Sequence, residues 1–153
     1  MKSIYTEIKN YFCSHFIPEE CGKTGLSALG IKILVAASAG PDSTTLALCL
    51  AELQEEMGIS LVLAYYDHGI RAKKDSQSEE EFVISLGERL KVPVVTDRAG
   101  EHRLEDIAVR EKKSLEAVAR DFRYAFLRET AGNHFCKYIA LGHTRTDRIE
   151  TQV

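Results

Sequence analysis

The stretch Ile33-Leu34-Val35-Ala36-Ala37-Ser38-Ala39-Gly40-Pro41-Asp42-Ser43-Thr44-Thr45-Leu46 decides how the rest of the chain is read. The apolar run Ile33 to Ala37 has the character of a buried parallel strand, and a Ser/Gly turn follows at once. Leu46, Cys49, Leu50, Leu53 and Met57 then recur at helical spacing. Strand, tight loop and helix in that order aim the helix's first free N–H groups, and its positive end, over the strand's edge, a geometry that holds anions. The loop is not a Walker loop, which needs Gly-Lys-Ser/Thr, because no lysine occurs between Lys32 and Lys73. Ser38, Gly40, Ser43 and Thr44 offer hydroxyls and close backbone approach, and Asp42 offers a carboxylate suited to Mg²⁺. On the residues alone, Asp42 and Ser43 serve equally well as helix caps.

Outward from this stretch the same alternation repeats. Ile4, Ile8, Tyr11, Phe12 and Phe16 predict a helix over 3–16, ended by Pro18, with Gly22, Gly25 and Gly30 in the loop before the first strand. Gly58 stops the helix after the Ser/Gly turn, and Ile59–Tyr66 is a second strand, continuously apolar from Leu61 to Ala64, as a strand covered on both faces should be. A polar loop is expected over 67–78, then a helix near 78–90 with Phe82, Val83, Leu86 and Leu90 inward. Lys91–Thr96 is a third strand whose Pro93 marks a strand start or an edge. Leu104, Ile107 and Ala108 suggest a short helix. Ser114 caps a longer one, with Leu115, Val118, Ala119, Phe122, Ala125 and Phe126 toward the core, ending at Gly132-Asn133. Tyr138–Leu141 is a fourth strand, and Gly142-His143 turns into a final helical segment. The fold class is therefore α/β, a doubly wound parallel sheet with helices on both faces. Ligands in such sheets sit beyond the strands' carboxyl ends, where Ser38–Ser43, Asp67–Arg71 and His143–Asp147 all fall.

The 153 residues fit one domain with a real core, and 44% hydrophobic with 28% charged residues is ordinary for a globular protein. No apolar run approaches a membrane span and the start lacks a signal-peptide core, which points to the cytoplasm. Four scattered cysteines, without C-x-x-C, argue against a zinc site; Cys13, His15 and Cys21 match no standard ligand spacing, and Cys49 reads as a buried, reduced thiol. A net charge of −3 argues against whole-surface affinity for nucleic acid. Yet six basic residues (Arg110, Lys112, Lys113, Arg120, Arg123, Arg128) face three acidic ones between positions 110 and 128. That stripe is either a phosphate-binding strip or a solvated helix face.

Four segments carry a family resemblance. Ser38-Ala39-Gly40-Pro41-Asp42-Ser43 resembles the SGGxDS loop of the PP-loop, or N-type, ATP pyrophosphatases, which cleave ATP between the α- and β-phosphates. Asp67-His68-Gly69-Ile70-Arg71 resembles the DHGLR segment of tRNA(Ile)-lysidine synthases. Ser114-Leu115-Glu116 with Arg120, Arg123 and Tyr124 is similar to that family's SLE-x-x-AR-x-x-RY helix, the last three sharing a helix face. Gly142-His143-Thr144-Arg145-Thr146-Asp147-Arg148-Ile149-Glu150-Thr151 resembles its GHHxxDQxET segment, with Thr144, Thr146 and Arg148 as departures. Ala39 departs likewise from the first loop glycine, a mild change if its φ is negative.

The resemblance implies a nucleotide-binding role for Ser38, Ala39, Gly40, Pro41, Asp42 and Ser43. It implies Mg²⁺ on Asp42, catalytic roles for Asp42, Arg120, Arg123, His143 and Asp147, and substrate contacts from Asp67, His68, Gly69 and Arg71. ATP and Mg²⁺ would be the cofactors, tRNA(Ile) and free lysine the substrates, and the product lysidine at the wobble cytidine. Family members run well past this length into a tRNA-binding region, so residues 1–153 resemble the N-terminal catalytic domain; a homodimer is compatible. Two alternatives stand: a PP-loop tRNA thiolase, of which one group uses paired C-x-x-C cysteines, and a non-catalytic nucleotide-binding module.

Overall fold

A computed structural model describes Thr6, Glu7, Asn10 and residues 30–69 and 73–142, together with the backbone of 148–151. The expected helix at 3–16, the Cys13/His15/Cys21 set, Arg71 and the segment His143–Asp147 lie outside the described residues.

The order is β1 (Ile31–Ala36), α1 (Pro41–Met57), β2 (Ile59–Asp67), α2 (Lys73–Leu90), β3 (Val94–Arg98), α3 (Arg103–Glu111), α4 (Leu115–Asn133), β4 (Tyr138–Leu141) and β5 (Arg148–Thr151). The sheet runs β3-β2-β1-β4-β5. β1 pairs parallel with β2, Ile33 opposite Leu61, and with β4, Ile33 opposite Tyr138; β2 pairs parallel with β3. Side-chain alternation along β1 and β2 makes two cores. Ile33, Val35, Leu61, Leu63 and Tyr65 pack with α1 and with Val83 and Leu86 of α2. Leu34, Ala36, Val62 and Ala64 pack with Phe126, Leu127 and Ala131 of α4 on the other face. A satellite cluster of Leu104, Val118 and Ala119 joins α3 to α4. The doubly wound architecture is thus as expected, and it places the carboxyl ends of β1, β2 and β4 on one rim.

Local chemistry explains the boundaries. Gly40 is the N-cap of α1 and Pro41 its first residue, where a missing N–H matters least. Gly58 closes α1 in the left-handed conformation (φ 63°), its N–H donating to the Gln54 carbonyl. Ser114 caps α4, its hydroxyl oxygen accepting from the Ala117 N–H at 3.2 Å. Pro93 falls just before β3, an edge strand, and its carbonyl accepts from Leu63 N–H at 2.9 Å.

Four expectations are corrected. The loop expected over 67–78 is short, because α2 begins at Lys73: the Ser76 hydroxyl donates to Asp67 Oδ1 at 3.1 Å and Tyr65 reaches the Ser76 carbonyl. A helix turn buried through polar contacts has no apolar periodicity to announce it. Phe82 is 44% exposed, since the stripe that meets the sheet passes through Val83 and Leu86, about 100° round the helix. Ala125 is also exposed, on the outer side of α4. The final helical segment is instead β5, pairing antiparallel with β4, Ile139 opposite Glu150; alternating Ile149 and Thr151 suit an edge strand.

Candidate functional site

The rim opens into a cleft of about 430 Å³ between the loop after β1, the ends of β2 and β4, and the near side of α4. Ser38, Ala39, Gly40 and Ser43 form one wall, Tyr65, Tyr66 and His68 another, and Glu79, Arg123, Leu127 and Gly142 complete it.

The loop is held from within. Ser43, 4% exposed, accepts from the Ser38 N–H at 3.1 Å, its Oγ lies 3.1 Å from Ser38 Oγ, and it also approaches the Gly40 carbonyl at 3.4 Å. The Thr44 hydroxyl donates to the same carbonyl at 2.7 Å. Ser43 and Thr44 therefore brace the turn, while Ser38 stays exposed at the mouth. Gly40 caps α1 with no side-chain bond, so neither Asp42 nor Ser43 fills the capping role; the first-turn N–H groups lack intrahelical acceptors, the requirement for an anion cradle.

Ala39 sits at φ 62°, so the departure from glycine is not mild: a left-handed alanine carries real strain. Its methyl packs against the α1 core. Behind the loop, a Cβ on Gly142 would lie 3.0 Å from backbone atoms of Asp42 and Ser43, so β4 ends directly against the start of α1.

The resemblance-derived residues divide by position. Ser38, Ala39, Gly40, Ser43, His68 and Arg123 line the cleft. Pro41 and Asp42 are exposed in the first turn of α1. Asp67 is built into the next turn, its Oδ1 accepting from Gly69 N–H at 2.8 Å as well as from Ser76. Arg120 and Arg123 both lie over the Tyr124 ring, at 5.6 and 5.9 Å, but only Arg123 reaches the cleft; Arg120 is exposed beside it. His143, Asp147 and Arg71 lie outside the described residues.

Sequence reasoning missed Tyr65, Tyr66, Glu79 and Leu127. The two tyrosines end β2, so the rim rule was the available signal; Glu79 had none, being one of three consecutive glutamates. The Tyr65 hydroxyl donates to Glu79 Oε2 at 3.1 Å, and burial together with that carboxylate raises the phenol well above the usual tyrosine range. Tyr66 packs tilted against Phe126 at 5.3 Å and stacks on His68 at 6.3 Å, and burial raises its phenol too. The result is a cleft with the open N–H groups of a helix start, a guanidinium and aromatic side chains, features that suit a nucleoside polyphosphate.

Among the described residues no group of three or more His, Cys, Asp or Glu could hold a metal ion. The donor set, a single exposed carboxylate beside the cradle, fits Mg²⁺ that arrives with phosphate oxygens rather than a resident metal. Among the described residues no helix is long and apolar enough to cross a membrane.

These features define an α/β domain with a lysine-free Ser/Gly loop at the head of a helix, and the PP-loop domain model matches residues 19–153: the chain belongs to the PP-loop family. Its relatives narrow the class. It is 38% identical over 135 residues to the tRNA(Ile)-lysidine synthase of Dehalococcoides mccartyi, covering 84% of this chain and 26% of that one. It is 40% identical over 119 residues to the enzyme of the same name from Thermus thermophilus, covering 78% and 22%. The chain thus spans about a quarter of the length of these curated relatives. The U34-tRNA thiolase NcsA from Methanococcus maripaludis shares the fold, with a TM-score of 0.65 and 16% identity over 93% of this chain and 46% of that one.

Proposed function

We propose that this domain is the ATP-dependent catalytic part of a tRNA(Ile)-lysidine synthase, acting in the cytoplasm on the wobble cytidine of an isoleucine tRNA. The C2 oxygen of the cytosine attacks the α-phosphorus of ATP, pyrophosphate leaves, and an adenylated base forms. The amine of free lysine then attacks C2, loses a proton and expels AMP. The carrying observation is the lysine-free loop Ser38–Ser43, braced by Ser43 and facing Arg123 across one cleft. The lysidine synthases among the relatives favour this reaction over sulfur delivery.

In this reading the N–H groups at the start of α1 hold the β- and γ-phosphates, and Arg123 offsets charge developing on the α-phosphate oxygens. Arg120 supports it through the shared Tyr124 ring. Asp42 would hold Mg²⁺ together with the phosphates, and that ion supplies neutralisation of the leaving group. His68 lines the cleft where lysine would enter, beside the turn that Asp67 and Gly69 build. Arg71, His143 and Asp147 belong to the same proposed set.

The test is the full-length protein with ATP, lysine and tRNA(Ile) transcript. Lysine mass should appear on one cytidine with AMP and pyrophosphate released together; ADP in place of AMP, or turnover without lysine, would overturn the reading. Asp42→Ala should lower pyrophosphate release by roughly a hundredfold or more with an unchanged circular dichroism spectrum; undiminished release removes Asp42 from the mechanism.

A further inference from the structure

Ion pairing sorts the arginines of this rim. Arg98 pairs with Glu80 at 3.1 Å, and nearby Lys113 lies 3.6 Å from both Glu111 and Asp121. Arg103, Arg120 and Arg123 make no such pair among the described residues, and each guanidinium lies on an aromatic ring instead. Arg120 and Arg123 belong to the Ser114–Tyr124 segment of α4. Arg103 belongs to no motif.

Its position is fixed by the fold. β3 leaves the sheet at the rim, where Ala99 N–H donates to the Asp67 carbonyl at 2.8 Å, and α3 starts five residues beyond the strand's last residue. Arg103 is the first residue of that helix, and its N–H donates to the Gly100 carbonyl at 3.2 Å. The guanidinium carbon stands 5.3 Å from the Phe122 ring centre. Phe122 lies one helical turn before Phe126, which backs Tyr66 at the cleft wall. Because α4 runs from the rim down to the start of β4, Phe122 and Arg103 stand on the rim side of that wall.

A cation in the first turn of a helix opposes the helix dipole, so helix stability does not account for Arg103. A guanidinium held over a ring by cation–π attraction keeps its full set of N–H donors, in the fork that matches a phosphate. Arg103 is exposed and outside the cleft lining, near enough to the Tyr66 phenol of the cleft wall to act on it electrostatically. A polyanion gains most from such an exposed charge, through counterion release, whereas a small amino acid needs enclosure.

We infer that Arg103, laid on Phe122 at the edge of the cleft, binds a phosphodiester of the RNA strand that presents its base to the site. The inference rests on the proposed tRNA reaction. Arg103 is a substrate-binding residue of the approach path, and Phe122 is the platform that orients it.

The test uses the full-length protein and its Arg103→Ala, Arg103→Lys and Phe122→Leu variants. Arg103→Ala should raise KM for tRNA about five- to tenfold and leave KM for ATP and for lysine within about twofold. The slope of log affinity for tRNA against log salt should become shallower by roughly 0.7, the value for one single-strand phosphate. Arg103→Lys should restore that slope, because the charge remains, while recovering only part of the affinity; Phe122→Leu should weaken tRNA binding at unchanged slope. An unaltered tRNA KM and slope in Arg103→Ala overturns the inference, as does a rise confined to lysine or ATP. Salt slopes are read from binding alone, so they judge Arg103 even if no lysine is transferred, which is the separate failure of the reaction.

Discussion

Ala39 shows how much one backbone angle carries. Its place in the loop was legible from the string around it, but the left-handed φ of 62° was not, because that angle is imposed by the bonds closing Ser38 onto Ser43. Alanine there carries strain of about 1–2 kcal/mol, partly offset by the packed methyl and by the smaller entropy it surrenders relative to glycine. Ala39→Gly should therefore stabilise the protein by about 0.5–1 kcal/mol, read as a higher urea midpoint at unchanged m-value. A lower midpoint would mean that the methyl contact outweighs the strain. Asp67 teaches the complementary lesson. Its DHG turn was recognised, while its link to Ser76, which sets where α2 begins, joins residues nine positions apart through polar atoms and leaves no periodic trace.

Among the elements, α1 and the two central strands were readable because each has an unambiguous signature: a Gly-Pro start and Gly58 stop for the helix, continuous burial for the strands. The errors fell where an element has few neighbours. Phe82 looked like core on composition and lies on the outer side of α2, and β5 is a short edge strand whose state depends on pairing with β4. The contact between β4 and α1 is the junction on which the site depends. Gly142→Ala places a methyl against the backbone of Asp42 and Ser43, where no side chain can swing away. That substitution should push the first turn of α1 out of line and raise KM for ATP by about tenfold or more, with a smaller loss of thermal stability. An unchanged KM would show that the cradle does not depend on this close approach.

For the molecule as a whole, stability against alkali depends on how β2 is joined to α2. Tyr65 is buried between them, and burial with the Glu79 bond raises its pKa in the folded state above the ordinary tyrosine value. A raised folded pKa gives stability that is complete below about pH 10 and is lost as the pH rises beyond it, since the unfolded chain releases the proton first. Unfolding free energies measured from pH 8 to 11 should fall steeply above pH 10 in the native protein and more gently in Tyr65→Phe; parallel curves would exclude Tyr65 as the responsible group. The amino-acid sequence by itself determined the alternation of strands and helices, the two-faced burial of β1 and β2, and the loop at the head of α1, because those follow from short-range periodicity and capping. Tertiary structure alone decided the strain at Ala39, the tyrosine wall with Glu79, the division of Arg123 from Arg120, and the seating of Arg103 on Phe122. Each is a meeting of groups whose geometry is set by how distant segments pack, and no local pattern encodes that distance.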